Sequence, residues 1–124
     1  MFSSLETVLL AADAADDKKA FDMQILDLRT LTYITDYFLI CSCNNSSQVA
    51  AVFDWVSHML ARVGIQHSHV EGVADASWIL MDYGDVVIHI FNQESRRYYS
   101  LDSLWGDAPR VPVKKRAAVL SVSP

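Results

Sequence analysis

The sequence predicts a single α/β domain in which a mixed β-sheet of about five strands packs against helices. Apolar residues recur at helical spacing in the first twenty residues and again after residue 46, whereas short apolar runs typical of strands lie between and after these segments. The length of 124 residues and the hydrophobic content of 52% suit one domain with a substantial core. No internal repeat, linker or low-complexity tract divides the chain.

The first element is predicted to be a helix that begins after Ser3. Ser3 and Glu6 have the spacing of a capping box, in which each side chain bonds the backbone N–H of the other residue. The helix is expected to end within residues 16–19. Its apolar face is expected to consist of Leu5, Val8, Leu9 and Ala12.

Two strands are predicted next, at residues 23–28 and 36–43. The second is almost continuously apolar, as expected of an inner strand that is covered on both faces. Cys41 and Cys43 lie two apart on it and therefore share a face without being able to bridge readily. Because no C-x-x-C motif or His/Cys ligand set accompanies them, buried reduced thiols are favoured over a redox or metal-binding role.

A second helix is predicted after the polar residues 44–47, which form a turn and supply its N-cap. Gly64 is a suitable C-terminal stop. Residues 67–70 then form a short strand candidate. The apolar face of this helix is predicted to contain Val49, Val52, Phe53, Val56, Leu60 and Val63.

A β-hairpin is predicted over residues 78–91, around the turn at residues 82–85. A Tyr83-Gly84 loop would place Asp82 opposite Asp85, and facing like charges destabilise a strand pair. A Gly84-Asp85 loop avoids this repulsion and puts glycine at the first central position of a type II′ turn. This register pairs Trp78 with Phe91, Leu80 with His89 and Asp82 with Val87.

Alternation of side chains gives the two hairpin faces different characters. The face with Trp78, His89 and Phe91 mixes aromatic and polar groups and resembles the centre of an interface with a polar rim. Trp78 is predicted to be an anchor for a partner. The other face is predicted to be core: Ile79, Met81, Tyr83, Val86, Ile88 and Ile90.

The remaining chain is predicted to close the fold with a short helical or irregular segment over residues 92–105. Leu101, Leu104 and Trp105 have the spacing to seat this segment on the sheet. Arg96 and Arg97 could pair with Asp82, Asp85 or Asp102, or cover a neighbouring aromatic ring. Prolines at 109 and 112 favour extended chain. The domain is therefore placed at residues 1–111, with a flexible tail at 112–124.

Charge indicates the kind of partner. The chain carries a formal charge of −5, but three of its basic residues lie at 114–116, so residues 1–110 hold 7 basic and 15 acidic side chains, a net charge of −8. Such a body is poorly suited to nucleic acid, whose phosphates require Lys and Arg, and better suited to a basic protein surface. No signal peptide or membrane span is recognisable, so a cytoplasmic protein is expected.

Two groups of residues invite a chemical interpretation. Asp82 and Asp85 could hold Mg²⁺, although they stand three apart around a turn, and turn formation with solvated charge is the plain alternative. His67 and His69 lie on one side of a strand and could bind zinc with His58 or His89, but no carboxylate or Cys stands at a recognisable ligand spacing. We expect no metal and no cofactor.

The segment from Trp78 to Ala108 contains four recognisable motifs: a tryptophan-led strand, a D-Y-G-D turn, an H-x-F strand and an R-x-[FY]-Y-x-L-[ED]-x-L-W segment. With these motifs it resembles the ribosomal silencing factor family, also called Iojap-related. The chain has Trp78, the turn at 82–85, His89 with Phe91, and residues 96–105 at these places. The resemblance extends upstream through residues 27–28, 34–37, 47–49 and 71–72, and departs mildly at Tyr98, where Phe is common, and at Asp102, where Glu is common.

This resemblance implies a nucleotidyltransferase-like topology without the catalytic motif, because the Gly-Ser phosphate turn and the D-x-D or D-x-E strand are missing. It also implies binding to the large ribosomal subunit through its protein numbered fourteen, at the face that meets the small subunit. Binding there would block subunit joining and repress translation under nutrient limitation. A nucleotidyltransferase-like enzyme and a ribosome assembly factor are the alternatives, and a homodimer is possible.

The resemblance also gives the candidate contact residues for this partner. They are acidic, aromatic or imidazole side chains in the matched motifs: Glu71, Trp78, Asp82, Tyr83, Asp85, His89, Tyr98 and Tyr99.

Overall fold

The computed structural model describes residues 2–99 and 105–113, except for the side chains of residues 98 and 99. It shows one mixed sheet with two long helices on one face. In chain order the elements are α1 (Ser4–Asp17), β1 (Phe21–Asp27), β2 (Tyr37–Cys43), α2 (Ser46–Arg62), β3 (His69–Glu71), β4 (Trp78–Asp82), β5 (Val86–Asn92), α3 (Gln93–Tyr99) and β6 (Arg110–Val111).

The sheet has six strands in the order β3-β4-β5-β2-β1-β6. Neighbouring strands are antiparallel except for β2 and β5, which run parallel with Tyr37 opposite Val86. The mixed α/β architecture is as predicted. The additional strand β6 pairs with β1, where Val111 lies opposite Ile25. It contains only two residues and lies in a segment that was predicted to be extended but not to join the sheet.

Helix α1 begins as predicted. The Ser3 hydroxyl accepts from the Glu6 N–H at 3.1 Å, and the Glu6 carboxylate accepts from the Ser3 N–H at 2.9 Å. The predicted apolar face is wrong at Leu5 and Leu9, which are 39% and 40% exposed. Helix α1 buries its small side chains instead, because alanines allow its backbone to approach β2 and α2 closely. The buried residues are Thr7, Val8, Ala11, Ala12, Ala14 and Ala15.

Helix α2 is capped by Asn45, whose side chain accepts from the Gln48 N–H. It ends before Gly64, whose φ of +83° is the left-handed conformation that glycine adopts at a helix C-terminus. Val63 is the C-cap and is 41% exposed, so its predicted place on the buried face is wrong. Trp55 joins the two helices by donating from Nε1 to the Asp17 carboxylate at 2.9 Å.

Apolar residues are packed on both faces of the sheet. The main cluster lies between the sheet and helices α1 and α2, and a smaller cluster lies on the opposite face, where Trp105 and Ala108 cover it. Strand β2 is therefore an inner strand covered on both sides, as predicted. The smaller cluster contains Leu26, Leu28, Phe38, Ile40, Trp78, Phe91, Trp105 and Ala108.

Cys41 and Cys43 are free and buried in β2, which confirms the prediction of unpaired thiols. Burial raises the pKa of both, that of Cys43 to about 11. In the described part of the chain, no helix has the length and apolar character to cross a bilayer.

Candidate functional site

The β4–β5 hairpin has the predicted register. Trp78 faces Phe91, Leu80 faces His89 and Asp82 faces Val87, so the two-residue loop is Gly84-Asp85. Gly84 has a φ of +84°, which a residue with a side chain adopts only at a cost. Asp82 and Asp85 are therefore not opposite each other, as the repulsion between like charges predicted.

The carboxylate of Asp82 shapes the hairpin turn. Its Oδ1 accepts from the Gly84 N–H at 2.7 Å, and this bond closes the turn locally. Asp85 is exposed, and its backbone carbonyl accepts from the N–H groups of Asp36 and Tyr37 at 2.8 and 3.1 Å. These bonds hold the hairpin turn beside the loop that precedes β2. We call residues 28–36 and 82–85 together the loop–turn end of the sheet.

Tyr83 lies on the core side of this end, as predicted for its face. It is half-buried, and burial raises its pKa to about 12. Its hydroxyl is buried and has no hydrogen-bond partner among the described residues. The ring lines a cavity of about 240 Å³ at the amino end of α1, together with Phe2, Ser4, Thr7, Val63, Gly64, Ile65, Asp85 and Val86.

Trp78 and His89 form an aromatic cluster on the other face. The Trp78 ring stacks on Phe91 with centroids 5.0 Å apart, and its Nε1 donates to His89 Nδ1 at 3.2 Å. Phe38 presents its edge to the His89 ring at a centroid distance of 4.6 Å. Trp105 packs edge-to-face against Phe38, with ring centroids 6.1 Å apart.

This cluster corrects the prediction that the whole face is open to a partner. His89 is only 4% exposed and Phe91 1%, because residues 105–108 pack over the sheet at this point. Trp78 is half-buried, and its contacts with Phe91 and His89 give it a structural role. Burial also lowers the pKa of His89 to about 4, so the imidazole is neutral at physiological pH.

Glu71 lies on the edge strand β3, opposite Leu80 of β4. It is exposed, and its carboxylate lies 3.5 Å from His69 Nε2. His67 precedes β3 and presents its ring to Tyr83, and His58 stacks on Trp55 in α2. No three His, Cys, Asp or Glu side chains gather as metal ligands in residues 2–99 and 105–113.

Tyr98 and Tyr99 belong to α3, but their side chains lie outside the described residues, as do Leu101, Asp102 and Leu104. Arg96, for which a hairpin carboxylate was one of several predicted partners, lies towards the other end of the sheet. Its Nη1 donates to the Asp22 carbonyl and the Ser42 hydroxyl, because α3 lies beside the far ends of β1 and β2.

The candidate residues thus fall into separate groups. Asp82, Tyr83 and Asp85 lie at the loop–turn end, whereas Trp78 starts β4 at its opposite end, about 13 Å away at the rise of a strand. Sequence reasoning missed Tyr33 and Ile34, which are 106% and 87% exposed at the loop–turn end. The available signal for these two residues was an adjacent Tyr-Ile pair in a polar, threonine-rich connection between two strands, where large apolar side chains are not expected.

Comparison with known proteins places this fold in a family. A sequence model described as "Ribosomal silencing factor during starvation" matches residues 2–123. The chain belongs to the ribosomal silencing factor family. The family match covers the hairpin, the loop–turn end and the long helices α1 and α2, so the motifs quoted above belong to a relationship along the whole domain.

Individual relatives agree with this assignment. The chain is 41% identical over 112 residues to the ribosomal silencing factor of Halalkalibacterium halodurans, covering 90% of this chain and 96% of the relative. It is 45% identical over 100 residues to that of Bacillus subtilis, covering 81% and 85%. A crystal structure of a Chromobacterium violaceum protein superposes with a TM-score of 0.82 at 31% identity, covering 85% of this chain and 88% of that one.

Proposed function

We propose that this protein binds the large ribosomal subunit at the face that meets the small subunit and keeps the two subunits apart. Family membership over residues 2–123 is the observation that supports this most directly. We further propose that this block represses translation under nutrient limitation and that the protein acts in the cytoplasm. The contact is proposed to be the basic large-subunit protein numbered fourteen.

The proposed mechanism is steric occupation of a surface, with no reaction catalysed. The hairpin carboxylates have structural or solvent-facing roles that suit this mechanism: Asp82 closes the turn, and Asp85 is exposed beside it. The thiols of Cys41 and Cys43 have raised pKa values, which disfavour the nucleophilic thiolate. The acidic loop–turn end matches a basic protein in charge.

Among the candidate contacts, the exposed carboxylates Glu71 and Asp85 are the side chains best placed to meet cationic groups. We propose Asp82, Tyr83, Trp78, Tyr98 and Tyr99 as further contacts. His89 is proposed to act from beneath the surface, by holding Trp78 through the bond between their ring nitrogens.

Co-sedimentation with purified large subunits tests this function. The protein should pellet with intact large subunits, should not pellet with subunits stripped of protein fourteen, and should slow subunit joining followed by light scattering. Binding that survives the stripping would contradict the proposed contact. Binding to immature particles in preference to mature subunits would favour a role in assembly, and micromolar binding of Mg²⁺-ATP by calorimetry would favour an enzyme.

A further inference from the structure

Tyr33 and Ile34 are the most exposed large hydrophobic side chains in the described part of the chain. Tyr33 is 106% exposed and Ile34 87%, and Leu31 beside them is 44% exposed. Single apolar side chains on a surface are common, but two adjacent residues exposed to this degree, with a third nearby, form a projecting apolar tip. Such a tip lowers solubility unless a partner covers it.

The loop that carries this tip is held by buried residues and internal hydrogen bonds. The carbonyl of Leu28, a fully buried residue, accepts from the N–H groups of Leu31 and Thr32 at 3.0 and 3.1 Å. The Thr32 hydroxyl accepts from the Ile34 N–H at 3.2 Å. Thr35, which follows, is 4% exposed. The backbone of the tip is therefore held in one conformation, which reduces the backbone entropy lost on binding.

The groups around the tip are carboxylates. The Asp36 N–H donates to the Asp85 carbonyl at 2.8 Å, and the Asp36 carboxylate accepts from the Ser4 hydroxyl at 2.9 Å. Arg29 is the one basic residue of the loop–turn end, and Asp27 neutralises it through two bonds of 2.7 and 2.9 Å. The apolar tip therefore lies beside an acidic surface, and Arg29 at this end is already paired with Asp27.

This combination favours a protein partner over an RNA partner. Phosphates would be repelled by the carboxylates, and single-stranded bases would require cations beside the aromatic ring. A basic protein surface that contains an apolar depression fits both features, since interfaces commonly combine an apolar centre with a charged rim.

We infer that Tyr33 and Ile34 are the apolar anchor with which this protein docks on a basic protein surface, flanked by the carboxylates of the loop–turn end. The inference rests on the proposed function, because the large subunit supplies that surface. It adds a contact that lies outside the candidate residues predicted from the sequence.

The test compares the affinity of full-length variants for large subunits. Tyr33→Ser/Ile34→Ser should bind at least about thirtyfold more weakly than the unaltered protein, which is the effect of losing an interface hot spot. Its thermal unfolding should be unchanged, since both side chains are exposed. Val73→Ser is the matched control, because Val73 is 46% exposed in the β3–β4 connection and should bind normally.

The outcomes separate this inference from the proposed function. If the unaltered protein binds and the double Ser variant binds equally well, the inference is overturned while the proposed function stands. If the unaltered protein does not bind large subunits, both are overturned. A dimer that becomes monomeric in the double Ser variant, with unchanged subunit affinity, would assign the tip to a second copy of the chain and overturn the inference.

Discussion

His89 is buried, and its surroundings in the fold require its ring to be neutral. Nδ1 accepts from Trp78, so the ring proton is on Nε2, which is buried and has no hydrogen-bond partner among the described residues. Protonation of Nδ1 would break the bond to Trp78 and leave a charge among Phe38, Phe91 and Trp78. The low pKa of His89 is the consequence of this environment.

We expect the stability of the protein to fall as the pH is lowered through the range from 6.5 to 4. In the unfolded chain His89 has a pKa near 6.5 and in the folded protein about 4, so the unfolded state binds the proton first. Above pH 6.5 the ring is neutral in both states, so His89 makes its full contribution to stability. The free energy of unfolding measured with urea should be about 2 kcal/mol lower at pH 5.0 than at pH 7.5.

His89→Phe should remove most of this dependence, whereas His69→Gln, which replaces an exposed histidine, should retain it. The interval down to pH 5 avoids acid titration of Glu6 and Asp27, whose pKa values are lowered by hydrogen bonds with Ser3 and Arg29. An undiminished pH dependence in His89→Phe would show that another group is responsible.

Trp78 contributes to the fold in addition to its proposed contact role. Trp78→Ala should lower the free energy of unfolding by about 2–3 kcal/mol, less than for a fully buried ring. Trp78→Phe keeps a ring on Phe91 but loses the donor to His89 and part of the indole surface, so about 1–2 kcal/mol is expected. Ile88→Ala, in the main cluster, should cost about 2–5 kcal/mol. Wild-type stability of Trp78→Ala in urea would show that the ring is not structural.

At the scale of elements, Gly72 and Gly84 provide a matched comparison. Both have positive φ, +88° and +84°, so alanine at either position incurs a conformational cost of roughly 1 kcal/mol. Apart from the adjoining residues of the chain, a Cβ at Gly84 would have no heavy atom within 4 Å, whereas one at Gly72 would lie 2.0 Å from the Trp78 carbonyl oxygen. Gly72→Ala should therefore be less stable than Gly84→Ala by a further 1–3 kcal/mol or so.

Chemical unfolding of both variants measures this difference. Gly64→Ala is a control for the conformational cost alone, since Gly64 also has positive φ and open space around it. Equal losses at Gly72 and Gly84 would contradict the close approach of the β3–β4 connection to the start of β4.

Elements with a local cause could be predicted from the sequence, and those with a distant cause could not. The hairpin register follows from two aspartates and a glycine that are neighbours in the chain. Strand β6 has two residues, and its partner β1 is more than eighty residues away, so no periodicity marks it. The exposure of Leu5 and Leu9 has the same origin, because close packing of alanines on β2 and α2 decided which face of α1 is buried.

The candidate site shows the same division. The aspartates at 82 and 85 could be placed at a turn from the local pattern alone. The burial of His89 and Phe91 could not, because residues 105–108 cover them from a distant part of the chain. The exposure of Tyr33 and Ile34 likewise depends on the loop being anchored at Leu28 and Thr35.

For the molecule as a whole, the acidic body should affect how fast the protein associates with its partner. Asp82→Asn/Asp85→Asn should slow association with large subunits and flatten its dependence on salt, because rim charges act mainly by steering. The turn should persist, since the asparagine introduced in place of Asp82 retains a side-chain oxygen that can accept from the Gly84 N–H. Stopped-flow association at several salt concentrations measures both effects.

Asp13→Asn/Asp54→Asn is the control, because it removes the same charge from exposed positions on α1 and α2. Deletion of residues 114–124, which include three basic residues, should change binding little. Loss of binding on this deletion, combined with normal association of the Asp82→Asn/Asp85→Asn variant, would contradict the proposal of an acidic contact surface. The division into a domain at 1–111 and a tail at 112–124 stays a prediction.

The two thiols in β2 give the protein an internal reporter of the opening of its main cluster. Cys41 and Cys43 are fully buried, and they are the only cysteines in the chain. An alkylating reagent can reach them only when helices α1 and α2 separate from the sheet, because both side chains lie in the main cluster between these helices and the sheet. The labelling rate under native conditions should therefore measure the free energy of opening this main cluster, without denaturant.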